Sequence, residues 1–256
     1  MKRRIPADLT EIYALRADTI DLFFGDRTEE KEFWSSLASK YGDDVLHLMC
    51  GTGEITVGLA GKGFDVVGVD LTKSMIYEAR DRKKEKDTKN VEFKTDDARY
   101  FDIKKKFDFI FISTGDFHHF TEEEDMNKVL ARCYAHLKPG GALALELFKM
   151  PEDDFKNEPK KFEPLREPPE NMDVWKINKS GFHSDSQMLE IREELHVEVD
   201  GELSIGEYEI QLQLFSEEEI EDALMKNGFE NITKIKGTDS SSLRKNTNTW
   251  VITAER

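Results

Sequence analysis

The 256-residue chain is 38% apolar and 35% charged, with 53 acidic against 37 basic side chains and a formal charge of −16. This balance argues against nucleic acid as a partner: neutralising phosphates takes clustered Lys and Arg, and the one basic triplet, Lys104-Lys105-Lys106, reads as a turn between two apolar runs. No apolar run is long enough to span a bilayer, none follows the basic start as a signal peptide requires, and only Cys50 and Cys133 could pair, so a cytoplasmic globule with free thiols and no membrane contact is expected.

Residues 7–41 carry Leu9, Ile12, Tyr13, Ile20, Phe23 and Phe24, then Phe33, Trp34 and Leu37, at the spacing of two helices. They read either as helices packed on a sheet edge or as a lid over a cofactor, with Tyr13 contributing. Val45, Leu46, Leu48 and Met49 suit a strand buried on both faces. The run breaks into Gly51-Thr52-Gly53 and then into a helical pattern at Ile55, Leu59 and Ala60. A strand, a glycine turn and a helix start set backbone N–H groups beside a polar ligand, and Gly51 and Gly53 permit close approach. The same turn also serves where nothing binds.

Residues 64–70 make a second strand ending on Asp70, 17 residues past Gly53, where an acid can accept both hydroxyls of a ribose. Thr72 and Ser74 are candidate N-caps for a helix holding Met75, Ile76 and Ala79. A third strand, 91–94, closes on Thr95-Asp96-Asp97-Ala98. A fourth, 107–113, ends in Ser113 and runs into Thr114-Gly115-Asp116-Phe117-His118-His119-Phe120. Thr121-x-x-Glu124 predicts a capping box for the helix of Met126, Val129, Leu130, Cys133 and Leu137. Lys138-Pro139-Gly140-Gly141 stops that helix before a fifth strand, 142–148.

Strand and helix alternate through residue 148, which predicts an α/β fold: a doubly wound, mostly parallel sheet of seven strands. Asp70, Asp97 and Asp116 then gather at its carboxyl edge, where ligands of open α/β sheets bind. Residues 151–169 hold five of the seven prolines, and 189–214 alternate as antiparallel strands with a hairpin at 199–203. Over 151–215 there are 17 acidic and 7 basic side chains, read either as a solvated face or as steering for a cationic ligand. Ser216-x-x-Glu219 caps a further helix, and strands at 232–236 and 249–254 end the chain. The expected organisation is a helical lid over 1–42, a cofactor-binding core over 43–150 and 213–256, and an antiparallel insert over 151–212. No metal-ligand set is expected.

In this order and spacing the motifs resemble those of the class I S-adenosylmethionine-dependent methyltransferases. Residues 45–53 match the first motif, 66–70 the second, Asp97-Ala98-Arg99 the third, Leu137-Lys138-Pro139-Gly140-Gly141 the one before the fifth strand, and 216–229 the late helix ending in Gly-Phe. The antiparallel insert is similar to that of small-molecule N-methyltransferases of sugar-amine and glycine/sarcosine types, where it roofs the substrate pocket. The resemblance implies S-adenosyl-L-methionine as cofactor. Backbone contacts are then expected at Gly51, Thr52 and Gly53, ribose on Asp70, and adenine between Leu71 and Met75 with Asp97 and Ala98 reading its edge; Asp96 competes with Asp97. His47 and Ser113 complete the expected cofactor set.

Two positions depart from the pattern. The usual acid of the first motif is His47, which can accept a hydrogen bond but removes a charge pairing, and its first glycine is Met49.

The expected reaction is methyl transfer to a small molecule, an amine nitrogen, by in-line displacement, in a monomer or homodimer. An amine must lose a proton before it attacks, so a base helps. His119-Phe120 matches the histidine beside the nucleophile in sugar-amine enzymes. Their lid tyrosine is matched by Ile20-Asp21, leaving Tyr13 as the substitute. The alternatives are a cofactor-binding protein without turnover and a nicotinamide-dependent dehydrogenase, against which Thr56 stands in place of the third glycine. For the histidine pair the alternative is a polar loop with one member capping the next helix.

Overall fold

The computed structural model describes residues 15–149, 151–235 and 249–256, and the backbone of Arg3 and Arg4. Contacts divide the chain into two units: Met1–Asp26 with Pro151–Gln213, and Arg27–Met150 with Leu214–Arg256.

The larger unit is a seven-stranded sheet between helices. Its strands are β1 (Asp44–Leu48), β2 (Asp65–Asp70), β3 (Val91–Thr95), β4 (Phe107–Ile112), β5 (Leu137–Phe148), β6 (Glu230–Ile235) and β7 (Thr249–Glu255). Across the sheet they lie in the order β6-β7-β5-β4-β1-β2-β3, parallel from β3 to β5, with β7 antiparallel to both neighbours. The helices are α1 (Thr28–Ala38), α2 (Glu54–Ala60), α3 (Lys73–Glu85), α4 (Glu123–His136) and α5 (Glu217–Lys226).

A strand buried on both faces cannot alternate polar and apolar residues, and β4, Phe-Asp-Phe-Ile-Phe-Ile, does not. On one face Val45, Val66, Phe109 and Phe111 pack against Trp34 and Leu37 of α1, Ile55 and Leu59 of α2, and Ile76 of α3. On the other, Leu46, Leu48, Ile110 and Ile112 meet Val129 and Leu130 of α4 and Ile220 and Leu224 of α5. The chain steps from β1 outward to β2 and β3, then returns to β4 on the other side of β1. In open α/β sheets such a reversal, here at the carboxyl ends of β1 and β4, is where ligands bind.

At the opposite edge charges alternate across the strands. Lys138 Nζ lies 2.6 Å from Asp44 and 3.0 Å from Asp108, and Lys105 Nζ lies 2.7 Å from Asp44 and 2.9 Å from Asp65. The two lysines hold the Asp44 carboxyl below its usual range.

The smaller unit is an antiparallel sheet built on three twelve-residue strands, Met172–His183, Met188–Val199 and Glu202–Gln213. The last two are joined through Asp200 and Gly201, both at positive φ (51° and 82°), the geometry of a two-residue type I′ hairpin. Val174, Leu195, Val197 and Tyr208 form its apolar cluster, with Leu15, Leu22 and Phe23 packed on them.

Several local expectations are corrected. The segment 1–42 is not one unit: Trp34, Leu37 and Ala38 are buried in the larger unit, Trp34 stacked on Phe111 at 4.7 Å, so α1 belongs there. Ile20–Phe23 is a 3₁₀ turn rather than α-helix. The Thr121 capping box does not form; α4 starts after Glu122 with three acids in its first turn, suited to the positive helix end. Ser216 and Glu219 do form the reciprocal capping box of α5. Lys138-Pro139-Gly140-Gly141 lies inside β5, because Gly140 and Gly141 exchange hydrogen bonds with Arg256, and a Cβ on Gly141 would sit 2.8 Å from the Asp108 carbonyl. The strand Met172–His183 has no sequence expectation, since Lys176, Asn178, Lys179 and Ser180 break its alternation.

Candidate active site

The turn after β1 is built on left-handed backbone: Met49, Gly51 and Gly53 have φ of 56°, 53° and 75°. The two glycines serve different ends. A Cβ on Gly53 would lie 2.8 Å from Ala79 and from the Phe93 ring, so this position needs glycine to pack α3 and β3. A Cβ on Gly51 would meet nothing within 4 Å, so its backbone faces open space. Met49 accepts the same backbone with a side chain, at a cost of about 1 kcal/mol.

Asp70 closes β2 and faces this turn. Its Oδ2 accepts the Gly51 N–H at 2.9 Å and its Oδ1 the Thr72 N–H at 2.8 Å. Burial pushes its carboxyl above the usual range, and the two backbone donors oppose that shift. Thr72 is the residue before α3 but makes no side-chain cap. Next to Asp70, Leu71 is 65% exposed, and Met75 lies half-buried in the first turn of α3. Beyond β3, the Asp96 N–H bonds to the Asp70 carbonyl at 3.0 Å. Asp97 is gripped by Arg99 through Nε and Nη2, and Arg99 Nη1 reaches Asp125 at 2.6 Å. Ala98 is buried, and its N–H has no acceptor among the described residues. Thr52 is buried, its carbonyl accepting from Arg82 Nε at 3.1 Å.

His47 and Ser113, expected in the cofactor set, lie buried beneath this edge. His47 is 2% exposed, stacked on Phe111 at 4.1 Å, with Nδ1 2.8 Å from Thr56 Oγ1 and Nε2 3.0 Å from Ser113 Oγ. Both ring nitrogens are engaged. Burial first, and the Arg27 charge second, push its pKa down to about 3, so the ring is neutral at physiological pH. From Ser113 the chain runs to Thr114 Oγ1 at 3.2 Å and on to Arg27 Nη2 at 3.4 Å. Arg27 bonds to Glu30 through Nε and Nη2, at 3.0 and 2.5 Å, and the Glu146 carboxylate takes the Thr114 N–H at 2.6 Å. Arg27, Glu30 and Glu146, all buried, are absent from the sequence reading; partners as far apart as Arg27 and Thr114 leave no local pattern.

After β4 the two histidines part. His118 is fully buried, stacked between Phe148 and Phe215 at 5.3 and 5.6 Å, and its Nε2 accepts the Phe148 N–H at 2.8 Å. His119, the last residue of a 3₁₀ turn, is exposed. Tyr13 lies outside the described residues. Among the described residues there is no cluster of His, Cys, Asp or Glu able to hold a metal ion, and no helix long and apolar enough to cross a membrane.

A mostly parallel sheet of this order, with a glycine turn after β1 and an acid at the tip of β2, defines a class I methyltransferase fold. Residues 45–141 match the family model described as a methyltransferase domain. The chain is 31% identical over 122 residues to a putative methyltransferase of Geobacillus sp. (strain WCH70), covering 44% of this chain and 49% of that protein. It spans about half the length of the curated relatives it matches, 41–49% for the first three. Solved structures extend the likeness in fold over both units. The sugar N-methyltransferase KedS8 of Streptoalloteichus sp. superposes with a TM-score of 0.77 at 19% identity, covering 100% of this chain and 97% of that one. CalS10, an amino pentose methyltransferase from Micromonospora echinaspora solved with its cofactor bound, gives 0.70 at 20% identity and covers all of both chains.

S-adenosylmethionine is the cofactor that goes with this domain and fold. The edge offers open space at the Gly51 backbone, the Asp70 carboxylate, an exposed apolar side chain at Leu71 and an Ala98 N–H without an acceptor among the described residues.

Proposed function

We propose that the protein binds S-adenosylmethionine at the carboxyl edge of the larger sheet and methylates an amine nitrogen of a small molecule. When bound, the cofactor supplies a methyl group on a positively charged sulfur, open to in-line displacement. Gly51 lets the backbone come close, Asp70 accepts from the ribose, and Leu71 with Met75 offers apolar surface to the base. Asp70 keeps acceptor capacity for this, since a carboxylate has about four acceptor sites and the Gly51 and Thr72 N–H groups with the Thr72 hydroxyl use three. The neutral, doubly bonded His47 holds β1, α2 and β4 in register beneath the turn.

The observation that carries the amine reading is the division of the histidine pair. His118, locked between two phenylalanines and bonded to the Phe148 backbone, fixes the turn that carries His119 outward at the carboxyl edge. His119 takes the proton an ammonium must release before its nitrogen can attack. The amine substrates named for KedS8 and CalS10 support the same reading. Mass spectrometry of methyl incorporation across amino sugars and small amines tests it; no methylated amine from a panel that includes amino sugars would overturn it.

A further inference from the structure

Three covalent passages join the two units, at Asp26–Arg27, Met150–Pro151 and Gln213–Leu214. Inside the larger unit each passage is anchored on one short segment, residues 113–120, which leaves β4 and carries His119. Arg27, the first residue of the larger unit, donates from Nη2 to Thr114 Oγ1 at 3.4 Å. Phe148, just before the second passage, donates its N–H to His118 Nε2 at 2.8 Å and stacks on that ring at 5.3 Å. Phe215, just after the third, stacks on the same imidazole at 5.6 Å and lies 6.0 Å from the Phe117 ring.

The segment is held in a shape it would not keep alone. Thr114 and Gly115 have φ of 67° and 75°, and the Asp116 N–H closes the turn on the Ser113 carbonyl at 3.1 Å. A β-branched residue takes left-handed backbone only where its surroundings impose it. Here the buried Glu146 carboxylate takes the Thr114 N–H at 2.6 Å, and a Cβ on Gly115 would lie 2.5 Å from the Phe148 ring, so ring and turn are in close contact. The strain therefore depends on the same residues that anchor the passages.

We infer that residues 113–120 couple the two units, with His118 as the positioning residue through which the smaller unit sets His119. Loosening the smaller unit frees the chain at its passages, and the anchors carry that freedom into the strained turn. Ordering of the smaller unit and placement of His119 are then one event, as in enzymes whose site is completed by a conformational step. The coupling stands on these contacts; that His119 is the base rests on the reading above.

Amide hydrogen exchange of the full chain, read by mass spectrometry, tests the coupling without any ligand. Leu195→Ala loosens the smaller unit from within, since Leu195 is buried in its apolar cluster. It should speed exchange over 113–120 by about tenfold or more while β2 of the larger unit exchanges as before. Added to His118→Leu, which keeps bulk but neither the acceptor nor the stacking, it should change 113–120 by no more than about threefold. The NMR ring signals of His119, assigned by their loss in His119→Gln, should shift in Leu195→Ala and stay put when it is added to His118→Leu. Leu195→Val serves if the alanine variant loosens the whole chain, and Phe215→Leu serves if His118→Leu does not fold. Exchange over 113–120 that is unchanged by Leu195→Ala, or raised equally in both backgrounds, would overturn the inference, as would His119 signals that do not move. An amine panel left unmethylated would instead overturn the base reading and leave these results standing.

Discussion

Acid should loosen this protein through His47. Its imidazole has a pKa of about 3 in the folded chain, against 6.5 when solvated, because burial and the nearby Arg27 charge oppose protonation. Between those values the unfolded chain binds a proton there and the folded chain does not. The stability held by the neutral ring is therefore present above 6.5 and lost as pH falls towards about 3. The slope is about 1.4 kcal/mol per pH unit, and the full span is on the order of 5 kcal/mol, comparable to the whole stability of many domains. His136, whose pKa burial also lowers, contributes in the same direction, so the informative quantity is the difference between the protein and His47→Gln. Glutamine offers a neutral oxygen and nitrogen to Thr56 and Ser113 without a titrating ring. Urea midpoints followed from about pH 7.5 to about 4.5 should diverge below 6.5, the unmodified protein falling more steeply by up to about 1.4 kcal/mol per unit. Parallel curves would refute the reasoning, as would ring-nitrogen NMR shifts showing His47 protonated at about pH 5.

Other outcomes follow from the same edge. Asp70→Asn should weaken cofactor binding at least about tenfold, as loss of a charge-assisted hydrogen bond costs about 1.5–3 kcal/mol. It should also lower stability by about 1–3 kcal/mol, because the amide keeps one acceptor oxygen and sets its NH2 against either the Gly51 or the Thr72 N–H. Gly51→Ala should fold with a loss near 1 kcal/mol but bind cofactor about tenfold worse or more, whereas Gly53→Ala should be the more destabilised in urea, its Cβ being blocked at 2.8 Å. His119→Ala should cut turnover about 10²–10⁴-fold on the true substrate with cofactor affinity nearly unchanged; a loss below about tenfold removes it as the base. His118→Ala should instead lower stability by about 3 kcal/mol, leaving a cavity between two rings and an unpaired Phe148 N–H.

The alternating pattern up to residue 148 made the sheet legible, because buried parallel strands have little freedom in composition: β4 could be read from its phenylalanines and isoleucines alone. The glycine turn and Asp70 were legible for a similar reason, since each does a job that one residue type does best. What escaped the sequence was whatever depends on a partner far along the chain. Trp34 reads equally as lid or core until Phe111 is seen beneath it. Nothing local in the sequence pairs His47 with Thr56 and Ser113, which occupy both its ring nitrogens. The Arg99 grip on Asp97 and its reach to Asp125, 26 residues on, likewise leave no local pattern.

The alternating charges on Asp65, Lys105, Asp44, Lys138 and Asp108 stitch four strands at the margin farthest from the ligand edge. Partly exposed ions of this kind are screened by salt, whereas the dehydration that opposes their pairing eases with heat. The two margins of one sheet therefore answer to different solvent variables, ionic strength at the seam and proton concentration around His47. Warming should raise the relative worth of the seam while brine erodes it, and neither change reaches the imidazole sealed under the opposite rim.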